Sequence, residues 1–211
     1  KVYIPEGIED DSLASLSICS CDALEMIGKE TGRGEATTEL PAPNLTTLSI
    51  KECGKVKPVV VEREGEVLLP KLQQLLIDNS ASGESPHSLT RSLFKFSCLT
   101  CLEIEGLEAE CFPVAGEGLP TSLTSLRIRE FGKLRKLDGE ALLRLKYLAR
   151  LRIVECPQLE RLPEGGLPPS LGDLVMWGCP KLKERCKPPE GKDWSKIHHI
   201  PHIEVDYPGE F

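Results

Sequence analysis

One apolar spacing recurs seven times along this chain, and it leaves few folds open. The unit is Leu-x-x-Leu-x-Ile-x-x-Cys-x-x-Leu. It reads Leu13, Leu16, Ile18, Cys21, Leu24, then Leu45, Leu48, Ile50, Cys53, Val56. Shorter copies are Leu72, Leu75, Ile77, Ser80 and Leu99, Leu102, Ile104, Leu107. The pattern continues as Leu123, Leu126, Ile128, Phe131, Leu134, then Leu148, Leu151, Ile153, Cys156, Leu159, then Leu171, Leu174, Met176, Cys179, Leu182. The leading leucines lie 32, 27, 27, 24, 25 and 23 residues apart. Within each copy the Leu-x-Ile step alternates as a half-buried strand does. The second Leu and the Ile point one way, and the residues before, between and after them point the other. A single strand cannot bury its own inner face, so copies of this length bury theirs by stacking side by side.

Stacked strands that run the same way need a crossover, and the remainder of each copy supplies it. The spacing therefore predicts an α/β solenoid: a leucine-rich-repeat horseshoe with a parallel β-sheet on its concave face and mostly irregular or short helical crossovers. Strands are expected around Ser17, Ser49, Leu76, Glu103, Arg127, Arg152 and Val175. The Cys after each strand falls where the chain turns under the sheet, a place for a small, buried, weakly polar group. Leu-Pro pairs at 40–41, 69–70, 119–120 and 167–168 close the crossovers without requiring a ladder hydrogen bond. Ala141, Leu142, Leu145 and Leu148 recur at helical spacing, which predicts a helix from Gly139 to Leu148. Two polar stretches, 28–39 and 80–92, read as exposed loops on the crossover side.

Charge narrows the possible partners. The chain of 211 residues has net charge -7, distributed as -10 over residues 1–120 and +3 over 121–211. A general nucleic-acid binder leans the other way. No apolar run is long enough to span a bilayer, and no signal peptide is evident. Nine cysteines make an odd number for a disulfide framework. With Cys21, Cys53, Cys156 and Cys179 at one repeat position, they suggest free thiols in a reducing compartment, cytoplasmic or nucleocytoplasmic. Repeats are expected over residues 1–185, continuing upstream of Lys1, and a capping segment and tail over 186–211. In that tail Trp194, Ile197, Ile200, Ile203 and Val205 are expected to cover the last repeat's core.

The C-terminal part carries a more particular likeness. Gly166-Leu167-Pro168-Pro169-Ser170-Leu171 leads into Trp177-Gly178-Cys179-Pro180-Lys181-Leu182, followed by Glu184-Arg185-Cys186. Gly191-Lys192-Asp193-Trp194-Ser195-Lys196-Ile197 and His199-Ile200-Pro201-His202-Ile203-Glu204-Val205 complete it. Over about residues 119–206 this resembles the closing repeats of plant intracellular immune receptors of the coiled-coil, nucleotide-binding, leucine-rich-repeat class. The resemblance implies a sensor region that recognises a pathogen effector, directly or through a guarded host protein. It also implies that the repeats help hold an upstream nucleotide-binding domain inactive. ADP or ATP would then be bound only in that upstream domain, since this chain has no phosphate-binding loop and no cofactor is expected in it. Substrate-selecting repeats of an F-box ubiquitin ligase are the alternative. They share the Cys position but usually have an Ile-Thr-Asp turn that this chain lacks.

The outward strand positions supply the candidate contact residues. Asp78, Glu103 and Glu105 make an acidic middle, Arg127, Arg129, Arg150 and Arg152 a basic patch beside it, and Val154, Val175 and Trp177 an apolar end. Arg and Trp are favoured interface anchors, which supports a protein-binding site. Adjacent-strand ion pairing of Arg127 and Arg129 with Glu103 and Glu105 is the competing reading. Cys98-Leu99-Thr100-Cys101 lacks the second pair or helix start that a metal or redox site needs. His198, His199 and His202 fall in the capping segment, and Asn44-Leu45-Thr46 fits a glycosylation sequon only by its letters. No catalytic constellation is present, so the chain reads as a binding module and not an enzyme.

Overall fold

The computed structural model describes residues 13–20, 44–52, 69–78, 93–114 and 118–206. It also describes the backbone of five further short strands, Val2–Tyr3, Ile27–Glu30, Ala36–Thr37, Glu62–Arg63 and Glu66–Val67. The principal sheet has eight parallel strands stacked in chain order. They are β1 (Ser15–Cys19), β2 (Thr47–Lys51), β3 (Gln74–Asp78) and β4 (Cys101–Glu105). β5 (Ser125–Arg129), β6 (Arg150–Val154), β7 (Asp173–Trp177) and β8 (His202–Val205) follow. The first seven are centred where the repeat spacing places them, and the α/β leucine-rich-repeat solenoid is the fold observed.

The register is uniform from strand to strand. Leu126 sits opposite Leu102 and Leu151, and Ile128 opposite Ile104 and Ile153. These inward positions, from Leu48 on β2 to Met176 on β7, are at most 4% exposed and form one continuous core. The position expected to prefer a small thiol is broader than that. Leu107 and Phe131 occupy it as fully as Cys156 and Cys179 do. Phe131 meets Phe112 edge to face at 5.5 Å.

Backbone hydrogen bonds repeat with the sequence. The amides of Thr46 and Thr47 both donate to Ala14, those of Thr100 and Cys101 to Gln73, and those of Thr124 and Ser125 to Thr100. The hydroxyls of Thr46, Thr100 and Thr124 donate to the same three carbonyls. At the other end of the strands, Ser20, Glu52, Gly106, Glu130, Glu155 and Gly178 adopt positive φ between 51° and 70°. This left-handed residue lets the chain drop sharply beneath the sheet. Only two of the six are glycine; a side chain there costs about 1 kcal/mol.

The crossovers depart from expectation in three places. The helix expected over 139–148 ends at Leu143 (α1, Gly139–Leu143). Asp138 caps its start, accepting from the amides of Glu140 and Ala141. Beyond Arg144 the amides of Leu145 and Leu148 reach back only three residues, to Leu142 and Leu145. That tighter winding buries both leucines and still starts β6 at Arg150. A second helix, α2 (Pro180–Cys186), starts at Pro180, whose ring suits a first helical turn, and buries Leu182 and Cys186 four residues apart. Within the stretch 28–39, read as a loop, Lys29 and Glu30, from a strand that starts at Ile27, pair antiparallel with Thr37 and Ala36. Isoleucine and threonine favour extended backbone, which the polar composition masked. The other expected loop, 80–92, lies outside the described residues, as do Cys21 and Cys53.

The closing segment does more than cover the core. β8 extends the sheet, setting Ile203 opposite Leu174 and Val205 opposite Met176. Ile197 and Ile200 are buried, and Trp194 packs against the same core. One buried carboxylate ties this segment down. Asp193 accepts two hydrogen bonds from Arg185 (2.8 and 3.1 Å) and one from the amide of Leu162 at 3.1 Å, and lies 2.9 Å from the Lys196 ammonium. Burial alone would raise its pKa. The bonds from Arg185, Lys196 and the Leu162 amide outweigh burial and hold it at about 2. Gly191 makes this geometry possible, because a Cβ there would lie 2.3 Å from the Arg185 carbonyl oxygen.

Candidate protein-binding surface

The outward face of the sheet presents three columns of side chains in register. The middle one runs Ser17, Ser49, Leu76, Glu103, Arg127, Arg152, Val175, Glu204. The column after it runs Asp78, Glu105, Arg129, Val154, Trp177 over β3 to β7. The column before it carries Arg150 between Ser125 and Asp173. The sheet thus brings all nine sequence-nominated residues, Asp78, Glu103, Glu105, Arg127, Arg129, Arg150, Arg152, Val175 and Trp177, onto one face of five adjacent strands.

They are not equivalent on that face. Arg127 lies 3.4 Å from Glu103 and Arg129 3.7 Å from Glu105, so both arginines are paired across the strands. Arg129 also meets Glu130 at 3.1 Å and Glu155 at 3.6 Å. Its pKa is raised, first by Glu105. Glu130 and Glu155 escape notice in the sequence because they follow the strands. Their shared left-handed position after β5 and β6 is the signal that brings them together. Glu130 is pushed above the usual carboxylate range, first by burial and then by its hydrogen bond with Glu155.

Arg150 and Arg152 differ from that pair. Both are exposed, and neither makes an ion pair among the described residues. Asp173 lies beside Arg150 in register, yet its nearest basic group is His202, at 3.9 Å. Arg152 sits between Arg127 and Val175. Val175 and Val154 are covered by their neighbours, at 5% and 8% exposure, so they floor the surface and do not project from it. Trp177, in register with Val154, is 45% exposed and is the aromatic group that this end of the face offers.

Other sequence candidates do not converge. Leu99 between Cys98 and Cys101 is fully buried, while Cys98 is exposed. His198 and His199 stack edge to face on the surface, and Cys186 is buried in the core. Among the described residues no group of three or more His, Cys, Asp or Glu could hold a metal ion, and no helix is long and apolar enough to cross a membrane.

The chain matches no established protein-family profile. Over 51 residues, 24% of its length, it is 39% identical to the disease resistance protein RGA4 of Solanum bulbocastanum. That match spans 5% of the relative's own length.

Proposed function

We propose that this chain is a sensor region of a plant intracellular immune receptor, a binding module without catalysis of its own. It contacts a pathogen effector or a guarded host protein through the outward face of its sheet, and it helps hold an upstream nucleotide-binding domain inactive. Any ADP or ATP is bound in that domain, and the receptor works in the cytoplasm. The observation that carries this reading is that Arg150 and Arg152, without an ion pair among the described residues, stand beside exposed Trp177 on a parallel sheet. Arginine and tryptophan supply directional donors and wide contact area at interfaces. The short similarity to a disease resistance protein supports the biological setting.

The test is charge reversal at Arg150 and Arg152 to Glu in the full-length receptor, scored as cell death in leaf tissue. Loss of the response to an effector assigns the face to recognition. Cell death without an effector assigns it to restraint of the switch domain. An unchanged response in both states, at normal protein level, overturns the reading.

A further inference from the structure

We infer that the contact surface selects an acidic protein segment: two neighbouring carboxylates for Arg150 and Arg152, with an apolar side chain beside them for Trp177. This rests on the binding reading above and specifies the partner's chemistry. Four arginines share the face, and two are already neutralised. Arg127 is held by Glu103, and Arg129 by Glu105, Glu130 and Glu155. A partner's carboxylate gains little there. Arg150 and Arg152 leave one strand on the same side, two residues apart, which separates them by roughly 7 Å. Two carboxylates on alternate residues of an extended segment, or one turn apart on a helix, match that spacing.

The surroundings restrict the partner further. Past Arg152 the face turns apolar over Val154 on β6 and Val175 on β7 and rises to Trp177, so the residue flanking the acidic pair is apolar. Beyond that, β8 presents exposed Glu204, and Asp173 lies beside Arg150. These two cations, unpaired among the described residues, have Arg127 on the β5 side with Glu103, Glu105 and Glu130 past it, Glu155 just after their own strand, and Asp173 and Glu204 on the β7 and β8 side. A polyanion such as nucleic acid repeats its charge along its length and runs into these carboxylates. A segment with only two acidic residues does not. Like charges set against each other cost enough to decide partner choice.

The experiment is selection of a random displayed peptide library on the full chain, and in parallel on the R150Q/R152Q variant. Exposed arginines on a formed sheet should leave that variant folded, which circular dichroism checks. The expected winners carry two acidic residues within four positions and an adjacent aromatic or aliphatic residue. Their synthetic versions lose about tenfold in affinity for each arginine removed. They also weaken as salt rises, and W177A weakens them without changing their salt dependence. Winners displaced by E103Q/E105Q but indifferent to R150Q/R152Q overturn this inference and leave the binding reading standing. If no winner is sensitive to any outward-face substitution, both fall. Stronger binding of a single-stranded oligonucleotide than of the acidic peptides, lost in R150Q/R152Q, overturns the protein-segment assignment in favour of a polyanion.

Discussion

The amide of Gly178 donates to the carboxylate of Asp206 at 3.0 Å. In four other repeats the equivalent amide donates to a backbone carbonyl at the end of the next strand: Ser20 to Lys51, Gly106 to Arg129, Glu130 to Val154 and Glu155 to Trp177. After Trp177 a side chain takes over a bond that elsewhere belongs to the backbone. Asp206→Ala leaves the Gly178 amide without that acceptor, and the expected loss is about 1–2 kcal/mol in urea unfolding. Asp206→Asn retains an acceptor oxygen and should recover most of it. Equal midpoints for the alanine variant and the parent would show that water replaces the carboxylate at no cost.

Asp193 gives the fold a specific acid sensitivity. Its folded pKa, about 2, lies below the ordinary carboxylate value. A depressed carboxylate stabilises the fold fully above its unfolded pKa, about 3.9, and that contribution is lost as pH falls through the folded value. Asp193→Asn removes the charge between Arg185 and Lys196, and at pH 7 it should cost about 3 kcal/mol, as breaking a buried ion pair does. The parent should lose stability more steeply than the variant between about pH 4 and pH 2. Parallel pH profiles of the urea midpoint would remove Asp193 from the acid response.

The strands were legible because an alternating Leu-x-Ile step demands that both side chains share one buried face. The eighth was not read as a strand. His202-Ile203-Glu204-Val205 alternates but lacks the leading leucine, so it looked like cover for the core, although Ile203 and Val205 continue the inward columns of Leu174 and Met176. The columns of the outward face followed from the same register. What it holds together did not follow. The pairing of Arg129 with Glu130 and Glu155 depends on a left-handed backbone turn that no glycine marks at either glutamate. Asp193 lies in a charged run that suggests solvent, and only Gly191's close approach to Arg185 reveals that it is enclosed.

Thiol reactivity should follow repeat position. Cys156, Cys179 and Cys186 are buried, and Cys156 and Cys179 donate to the carbonyls of Val154 and Trp177, two residues upstream in each case. Burial pushes Cys186 up to about 12, and the hydrogen bond between Cys179 and Cys156 raises the Cys179 thiol while lowering that of Cys156, which is shielded instead by its complete burial. The thiolate is the reacting form. Brief iodoacetamide labelling of the folded chain, read by peptide mass spectrometry, should modify Cys98 well before these three, and urea should abolish the difference. Early labelling of Cys179 in the folded chain would contradict the packing of the last repeats.

Arg127 and Arg129 look alike in sequence, yet their removal should differ. Arg127 answers one carboxylate, and exposed pairs of that kind contribute about 0–1 kcal/mol. Arg129 stands among three, so Arg129→Gln leaves Glu105, Glu130 and Glu155 together without a cation. Coupled charges of this kind interact by roughly 1–2 kcal/mol, so Arg129→Gln should lower the urea midpoint more than Arg127→Gln does. Because the penalty is repulsion among exposed or half-exposed groups, it should shrink in about 1 M salt, where the screening length is about 3 Å. It should also shrink as pH falls through the carboxylate range, with Glu130 protonating early because its pKa is already raised. Adding Glu105→Gln to Arg129→Gln should restore part of the loss. Identical midpoints for the two arginine variants at low salt would mean that the three carboxylates around Arg129 do not act as one electrostatic group.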